Sequence, residues 1–173
     1  MTNIGSAEWK DYHVEFEFCM GGVDPAFNPH ALPADFCGGS VHFHVSDAKE
    51  SWNERGNSNY SLNLGGDGAW NLTCSYSAYC KGACGFDNPV SEGGRTVVEG
   101  KGLKTDPVAG NKIRLEVCGT RIQIWVDGQL IVDVQDKKMG ETIGGQTLDH
   151  GGIGISWGFE SMGWIRNFSA KPI

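Results

Sequence analysis

The sequence of 173 residues lacks any apolar run near the roughly 20 residues of a membrane-spanning helix, so we expect no membrane insertion. It also lacks a basic excess, since 14 Lys and Arg stand against 21 Asp and Glu and give a formal charge of −7. A negative protein repels nucleic-acid phosphates and anionic lipid headgroups, which disfavours nucleic acid as a partner. Proline is scarce at 6 residues, whereas the 26 glycines indicate many tight turns.

Signals for helices and for several common kinds of catalysis are absent too. No ten-residue window carries a convincing apolar stripe with a 3.6-residue period, so helices should be single turns at most. The sequence has no glycine-rich phosphate cradle, no Gly-x-Ser-x-Gly turn and no convincing Cys-His pair for nucleophilic attack. With no internal repeat and no interdomain linker, residues 1–173 are expected to form one domain.

Alternation of apolar and polar residues dominates the sequence. In 11–20 the even positions are apolar and polar side chains fill the odd ones, as in a half-buried strand. The same alternation predicts strands near 41–46, 60–64, 113–117, 122–126, 130–134, 153–157 and 164–170. Asp127-Gly128 predicts a type I′ hairpin turn, which needs positive φ. Because each apolar strand face needs a covering sheet, we expect an all-β, two-sheet antiparallel sandwich with few or no helices.

The cysteine content favours disulfides and an oxidising compartment. The six cysteines are Cys19, Cys37, Cys74, Cys80, Cys84 and Cys118. Their spacing lacks the paired Cys-x2-Cys knuckles of a zinc site. Cys19 closes one predicted strand and Cys37 opens the next, so a bridge between them would staple the loop 21–36; the other four leave three pairings open. We therefore expect a secreted or cell-surface protein. Since the N-terminal residues lack signal-peptide features, we also expect that its leader has been removed.

An ordered series of segments resembles the concanavalin A-like jelly rolls. These segments are Trp9-Lys-Asp-Tyr-His-Val-Glu-Phe-Glu-Phe, Gly39-Ser-Val-His-Phe-His, Asn59-Tyr-Ser-Leu-Asn-Leu, Asn111-Lys-Ile-Arg-Leu-Glu-Val-Cys-Gly-Thr-Arg-Ile-Gln-Ile-Trp-Val-Asp-Gly, Gly152-Ile-Gly-Ile-Ser-Trp and Ile165-Arg-Asn-Phe. They are most similar to laminin-G-like and 3-keto-disaccharide-hydrolase-type domains and to levan-binding carbohydrate-binding modules. The resemblance covers nearly the whole chain except 65–110, and His44 stands where many relatives carry Arg. It implies a glycan ligand, often a structural calcium ion, and glycoside cleavage in a minority of members.

Carboxylates and imidazoles are the candidates for catalysis. Glu15 and Glu17 lie two apart on one strand, so both point to one face at about 7 Å, between the separations of retaining and inverting glycosidases. The alternative is a solvated strand face. By the same spacing, His42 and His44 should share a face; if their strand pairs with the first, His13 and the glutamates become neighbours. Such histidines could hold a transition metal or simply line a polar face and hydrogen-bond a ligand.

Tryptophans are the candidates for sugar stacking, because indoles pack on the apolar faces of sugar rings. Trp125 has the parity opposite to its apolar neighbours and should point away from the core. Trp52 and Trp70 lie in polar loop contexts, whereas Trp9 and Trp164 are better explained as anchors at the ends of the sandwich. The segment 65–102, rich in cysteine, aromatics and amides and including Tyr79, could form a recognition surface or a loop braced only for stability.

Loop carboxylates are the candidates for calcium, a hard cation that oxygen ligands surround. These residues are Asp24, Asp35, Asp47, Asp67, Asp106 and Asp149. None matches the EF-hand spacing, and Asp also favours turns without a metal, so the alternative is solvated turn residues.

Three functions follow from these patterns. The first is a non-catalytic, lectin-like extracellular domain that binds a glycan or polysaccharide through His13, Glu15, Glu17, His42, His44, Asn63, Trp70, Tyr79 and Trp125. The second is a glycoside hydrolase that uses Glu15, Glu17, His42 and His44. The third is a structural or adhesion subunit that contacts other modules or copies in an extracellular assembly.

Overall fold

The computed structural model describes residues 2–6, 8–19, 38–45, 58–75, 77–79, 89–91, 94–106, 109–142, 147–157 and 163–173. Within these ranges the chain forms strands and turns. The strands are β1 (Thr2–Ile4), β2 (Tyr12–Cys19), β3 (Gly38–Val45), β4 (Asn59–Gly65), β5 (Trp70–Ser75), β6 (Ser77–Tyr79), β7 (Pro89–Ser91), β8 (Arg95–Gly100), β9 (Asn111–Cys118), β10 (Arg121–Val126), β11 (Gln129–Gln135), β12 (Gly152–Trp157) and β13 (Trp164–Pro172). No helix in these ranges is long and apolar enough to cross a membrane.

The strands form two large antiparallel sheets. One has six strands in the order β1-β12-β3-β4-β5-β8, and the other has five in the order β11-β10-β9-β2-β13. Strands β6 and β7 form a separate two-stranded ribbon. The predicted all-β, two-sheet antiparallel architecture is confirmed.

The apolar faces of the two sheets meet in one core. In β2, Tyr12, Val14, Phe16 and Phe18 are buried while the residues between them are only half-buried, as the alternation predicts. The other sheet contributes Val41, Phe43, Tyr60, Leu62 and Ile155 to the same cluster. Full burial of one such aromatic or branched side chain stabilises the fold by about 1.5–3 kcal/mol. The alternation of each strand therefore leaves two outer faces, one per sheet, for contact with solvent or ligand.

The hairpin between β10 and β11 has the turn that the sequence predicts. Asp127 and Gly128 have φ values of +50° and +80°, as a type I′ turn requires. The Asp127 carboxylate accepts a hydrogen bond from the backbone N–H of Lys112 at 2.7 Å, which ties the turn to β9.

The predicted disulfides remain predictions. Cys37, Cys80 and Cys84 lie outside the described residues, and so does any bridge that they form. Cys19 ends β2, Cys74 is buried in β5 and Cys118 is exposed at the end of β9. Within the described residues, Cys74 and Cys118 form no disulfide.

Candidate functional site

The outer face of the six-stranded sheet carries hydroxyl, amide and imidazole groups on four adjacent strands. We call this surface the polar face, and it consists of Ser156 of β12, Ser40 and His42 of β3, Asn59, Ser61 and Asn63 of β4, and Asn71 and Thr73 of β5. These residues alternate with Val41, Phe43 and Leu62 of the core. Five of them are partly exposed, whereas three are buried: the exposed ones are Ser40, Asn63, Asn71, Thr73 and Ser156, and the buried ones are His42, Asn59 and Ser61. Strand pairing aligns them in rows across the sheet, with Ser40 opposite Asn63 and Asn63 opposite Asn71. Alternation within each strand and register between strands therefore create the surface.

One hydrogen-bonded row centres on His42. Its Nδ1 lies 2.8 Å from the Ser61 hydroxyl, which itself donates to the side-chain Oδ1 of Asn59 at 2.7 Å. Since the Ser61 proton is already used, His42 Nδ1–H donates to the Ser61 oxygen. Nε2 then carries a lone pair and accepts from the Ser156 hydroxyl at 2.8 Å. The Ser156 oxygen is left able to accept a hydrogen bond from a ligand.

The environment of His42 keeps its imidazole uncharged. The side chain is 6% exposed, and burial lowers the His42 pKa to about 4, although the hydrogen bond with Asn59 acts in the opposite direction. Desolvation disfavours the charged form of a base. At neutral pH, His42 is therefore a neutral donor and acceptor.

A second row joins β3, β4 and β5 through side-chain amides. The Ser40 hydroxyl donates to the Asn63 carbonyl oxygen at 2.6 Å, and the Asn63 amide nitrogen donates to the Asn71 carbonyl oxygen at 2.7 Å. Within the described residues, the Asn71 amide nitrogen has no partner, so its N–H groups are available to a ligand. The row fixes the orientation of each amide in advance, which lowers the entropy lost on binding.

The amide row ends in a cleft of about 650 Å³ at the edge of the sheet. Asn63, Asn71, Trp70, Glu99 and Lys101 contribute its polar and aromatic lining. The indole of Trp70 lies against the backbone of β8 at Gly100, where a Cβ atom would collide with the ring. Trp70 also packs on the core, so it both braces the sheet and lines the cleft. The cleft thus places Trp70, at the edge of the core, beside amide donors and acceptors.

Four of the sequence-derived candidates lie on the other side of the molecule. His13, Glu15, Glu17 and Trp125 belong to the outer face of the five-stranded sheet, because β2 and β10 are strands of that sheet. The suggested proximity of His13 and the glutamates to His42 is therefore wrong. Its condition was that β2 pairs with β3, but β2 pairs with β9 and β13, whereas β3 pairs with β4 and β12.

On that opposite face, the candidate residues contact charged and polar neighbours. His13 Nδ1 lies 2.9 Å from Glu116, and Glu15 lies 3.6 Å from both His13 and Lys112. Glu17 accepts a hydrogen bond from the exposed Asn167 amide at 2.8 Å. These contacts fit a solvated strand face, and they do not bring the two glutamates together with His42 and His44 as an acid–base set.

His44 does not share a face with His42, so that expectation is also wrong. Its φ is +50°, a left-handed conformation that breaks the alternation of β3 and turns the ring inward. The side chain is fully buried, with Nδ1 2.6 Å from the Leu148 carbonyl and Nε2 3.1 Å from the Lys10 carbonyl. Burial lowers the His44 pKa. His44 is a core residue that fastens β3 to two loops.

Trp125 points away from the core, as its parity predicts, but its ring is partly covered. The Arg114 guanidinium lies 4.2 Å from the indole centroid in a cation–π contact, and Arg114 also donates to Glu116 at 2.6 Å. One face of this indole is therefore occupied by a protein cation. Trp164 has the same relation to Arg166, at 4.1 Å.

The side chains of two candidate site residues are not among those that the structure describes. Tyr79 ends β6, but its side chain is not among the described ones, and Trp52 lies outside the described residues. Conversely, the candidate list omitted Ser40, Ser61, Asn71 and Ser156, although the alternation that places Asn63 on the outer face applies to them equally. Glu99 was omitted because nothing local indicates that β8 lies beside β5.

Two of the described loop carboxylates accept hydrogen bonds within turns, and a third pairs with a histidine. Asp67 accepts from the Ala69 N–H at 3.0 Å, Asp106 accepts from the Ala109 N–H at 2.7 Å, and Asp149 pairs with His150. Among the described residues, no three His, Cys, Asp or Glu side chains are grouped to hold a metal ion. Asp24, Asp35 and Asp47 lie outside these residues, so calcium binding remains a prediction.

Comparisons with known proteins identify the fold. No family model and no curated protein matches the chain. The carbohydrate-binding module CBM66 from Bacillus subtilis is similar in structure, with a TM-score of 0.57 and 16% identity over 94% of this chain and 75% of that one. The chain has the concanavalin A-like jelly-roll fold.

Two galectins have the same architecture. Sheep galectin-11, in complex with glycerol, matches with a TM-score of 0.52 and 9% identity over 98% of this chain and 95% of that one. Galectin LEC-6 from Caenorhabditis elegans matches with a TM-score of 0.50 and 10% identity over 97% and 86% of the two chains. At such identities the likeness concerns the jelly roll, and the ligand has to be argued from this chain's own side chains.

Proposed function

We propose that this jelly-roll domain binds a glycan, without catalysis, through the polar face and the adjoining Trp70 cleft. The observation that carries the proposal is the continuity of the two features. The Ser40–Asn63–Asn71 row runs across three strands to the cleft that Trp70, Glu99 and Lys101 also line.

Sugar chemistry matches this arrangement. Each sugar ring offers hydroxyl groups that donate and accept hydrogen bonds, and a C–H face that packs on an aromatic ring. Asn71 supplies amide donors, Ser156 supplies an oriented oxygen, and Trp70 supplies the aromatic surface. The similarity to a carbohydrate-binding module and to a galectin in complex with glycerol also supports a ligand that carries several hydroxyl groups.

The proposal is non-catalytic because of the carboxylates that the site offers. Within the described residues, Glu99 is the one carboxylate of the polar face and its cleft. Hydrolysis of a glycosidic bond usually needs a pair of carboxyl groups, one on each side of that bond. Glu15 and Glu17 are on the opposite outer face, so they do not complete such a pair with Glu99.

The proposal includes an extracellular location, for which the six cysteines are the support. It also includes a structural calcium ion, which the resemblance to concanavalin A-like domains implies. The ion is tested with the disulfide-intact protein, assayed with calcium and again after chelation. Loss of binding or of thermal stability on chelation supports the ion, whereas unchanged behaviour removes it from the proposal.

A polysaccharide and glycan panel tests the binding itself. We expect saturable binding to one glycan class that Asn63→Ala weakens, since this substitution breaks the amide row. The matched control is Gln123→Ala, which removes an outward amide from β10 of the other sheet and should leave binding unchanged. Equal effects of the two substitutions, or no binding by folded protein across the panel, would overturn the proposal. If the folded protein binds no member of the panel and self-associates in size-exclusion chromatography, the assembly-subunit function is favoured.

A further inference from the structure

The two outer faces of the sandwich differ sharply in charge. Along β12, β3, β4 and β5, the described outward side chains are Ser, His, Asn and Thr, and His42 is held neutral by its burial. The first outward charges within the described residues are Glu99 on the edge strand β8 and Lys101 beyond its end, which line the cleft with opposite signs. The polar face therefore presents hydrogen-bonding groups without a formal charge.

The opposite face, by contrast, is covered with ionised groups. Its strands carry Glu15, Glu17, Lys112, Arg114, Glu116, Arg121, Asp133, Arg166 and Lys171. Many of these are paired, as in Arg114–Glu116 at 2.6 Å and Arg121–Asp133 at 2.8 Å. The sheet that carries these pairs is solvated like an ordinary protein surface, whereas the six-stranded sheet lacks such groups over four strands.

The lack of charged side chains on the polar face determines which kinds of sugar it can bind. A sulfate or carboxylate on a glycan keeps its hydration unless the protein supplies a positive partner, and an anion that is dehydrated without one is strongly disfavoured. The polar face supplies no such partner in its described strands. In the cleft, Glu99 offsets Lys101, and the whole chain repels polyanions through its formal charge of −7.

We propose that the polar face selects uncharged glycans and rejects sulfated and uronic-acid polysaccharides. This inference rests on the proposed function, because it names the ligand class of the same site. Recognition then depends on hydroxyl–amide hydrogen bonds and on stacking, with no counterion release. Binding should consequently be nearly independent of salt.

A paired panel tests this specificity. Neutral polysaccharides (fructan, mixed-linkage glucan, mannan, galactan) and acidic ones (alginate, pectate, carrageenan, heparin) are titrated against wild-type protein, Asn63→Ala and the control Gln123→Ala. We expect binding to a neutral member only, lost in Asn63→Ala. The dissociation constant should change by less than about twofold between 50 and 500 mM NaCl, because screening acts on charge pairs alone.

The outcomes separate the two proposals. Binding of an acidic polysaccharide that Asn63→Ala abolishes would overturn the selectivity for uncharged glycans and leave the glycan-binding function standing. Binding of an acidic polysaccharide that falls steeply with salt, is insensitive to Asn63→Ala and is lost in Arg114→Ala would move the site to the other face and overturn both. Absence of binding between the folded protein and every polysaccharide would also overturn both proposals.

Discussion

His42 and His44 are two positions apart in one strand, and their surroundings give them different roles. The ring of His42 lies between two serine hydroxyls on the polar face, whereas the ring of His44 lies against Tyr12 in the core and between two backbone carbonyls. The sequence pattern treats them as equivalent, because strand periodicity assumes uniform dihedral angles. The left-handed φ of His44 is a tertiary effect that no local signal indicates.

The lowered pKa of His42 predicts acid sensitivity of the fold. An unfolded histidine binds a proton near pH 6.5, whereas folded His42 does so only near pH 4, so the unfolded state holds more protons in that window. The free energy of unfolding should therefore fall on acidification, by about 2 kcal/mol from His42 between pH 7 and pH 4.5. His44 acts in the same direction, since burial lowers its pKa too.

Chemical denaturation at several pH values measures this slope. His42→Gln keeps hydrogen-bonding capacity without a titrating ring, and it should lose the His42 share of the slope. Asn63→Ala alters the same face but no titratable group, so it should keep the wild-type slope. Parallel curves for wild type and His42→Gln would contradict the assignment of a depressed pKa to this residue.

Trp70 and Trp125 predict a second contrast at the residue scale. Trp70→Ala should weaken glycan binding about tenfold, which corresponds to about 1.4 kcal/mol. It should also lower stability, because the ring packs on the core. Trp125→Ala should leave binding unchanged, since its ring lies on the other outer face beneath Arg114. Calorimetric titration of folded variants checks both, and a larger loss of affinity in Trp125→Ala than in Trp70→Ala would reverse the assignment.

At the scale of elements, a buried cluster joins the two sheets. Asp136 directly follows β11 of the five-stranded sheet and accepts a hydrogen bond at 2.6 Å from the hydroxyl of Tyr60, in β4 of the six-stranded sheet. It also forms an ion pair with Arg95 of β8. Burial opposes the charged form of Asp136, but the hydrogen bonds from Tyr60 and Arg95 outweigh it and lower the Asp136 pKa.

This cluster should contribute more to stability than an exposed ion pair of the same kind. The side chain of Asp136 is 5% exposed and that of Asp133, which pairs with Arg121, is 38% exposed. Asp136→Ala leaves a buried tyrosine hydroxyl and a guanidinium without their acceptor, and we expect a loss of about 3 kcal/mol. Asp133→Ala should cost much less, because the ion pair that it removes is solvated. Similar unfolding midpoints for the two variants would contradict the role of Asp136 as a tie between sheets.

Strands and turns could be predicted from the sequence, whereas the pairing of strands could not. Alternation is a local property, so it predicted β2 to β4, β9 to β13 and the outward direction of Trp125. The expectation of a loop over 65–102 was wrong, because this segment contains β5 to β8 and Trp70 begins β5. Asp127-Gly128 predicted its turn because few residue pairs accept positive φ twice. The pairing of strands is not local: β2 and β3 are separated by eighteen undescribed positions, 20–37, and belong to different sheets. The proximity of His13, Glu15 and Glu17 to His42 was conditional on pairing of β2 with β3, and that condition is not met.

At the scale of the whole molecule, the two outer faces divide hydrogen bonding from charge. Asn63 was predicted as a site residue, yet the row that it forms with Ser40 and Asn71 depends on the order β3-β4-β5. The same order places the Trp70 cleft at the end of that row. Composition gives only the sum of the charges. The distribution of charged residues between the two outer faces follows from the sheet topology, which composition does not contain.

Chemical-shift mapping of backbone amides shows directly whether glycan binds at the polar face. ¹⁵N-labelled protein is titrated with an oligosaccharide fragment of the polysaccharide that it binds. We expect the largest shifts on β3, β4 and β5 around Ser40, Asn63 and Asn71, extending to Trp70 and Gly100. Shifts concentrated on β2, β9 and β10, around Glu15, Arg114 and Trp125, would contradict it.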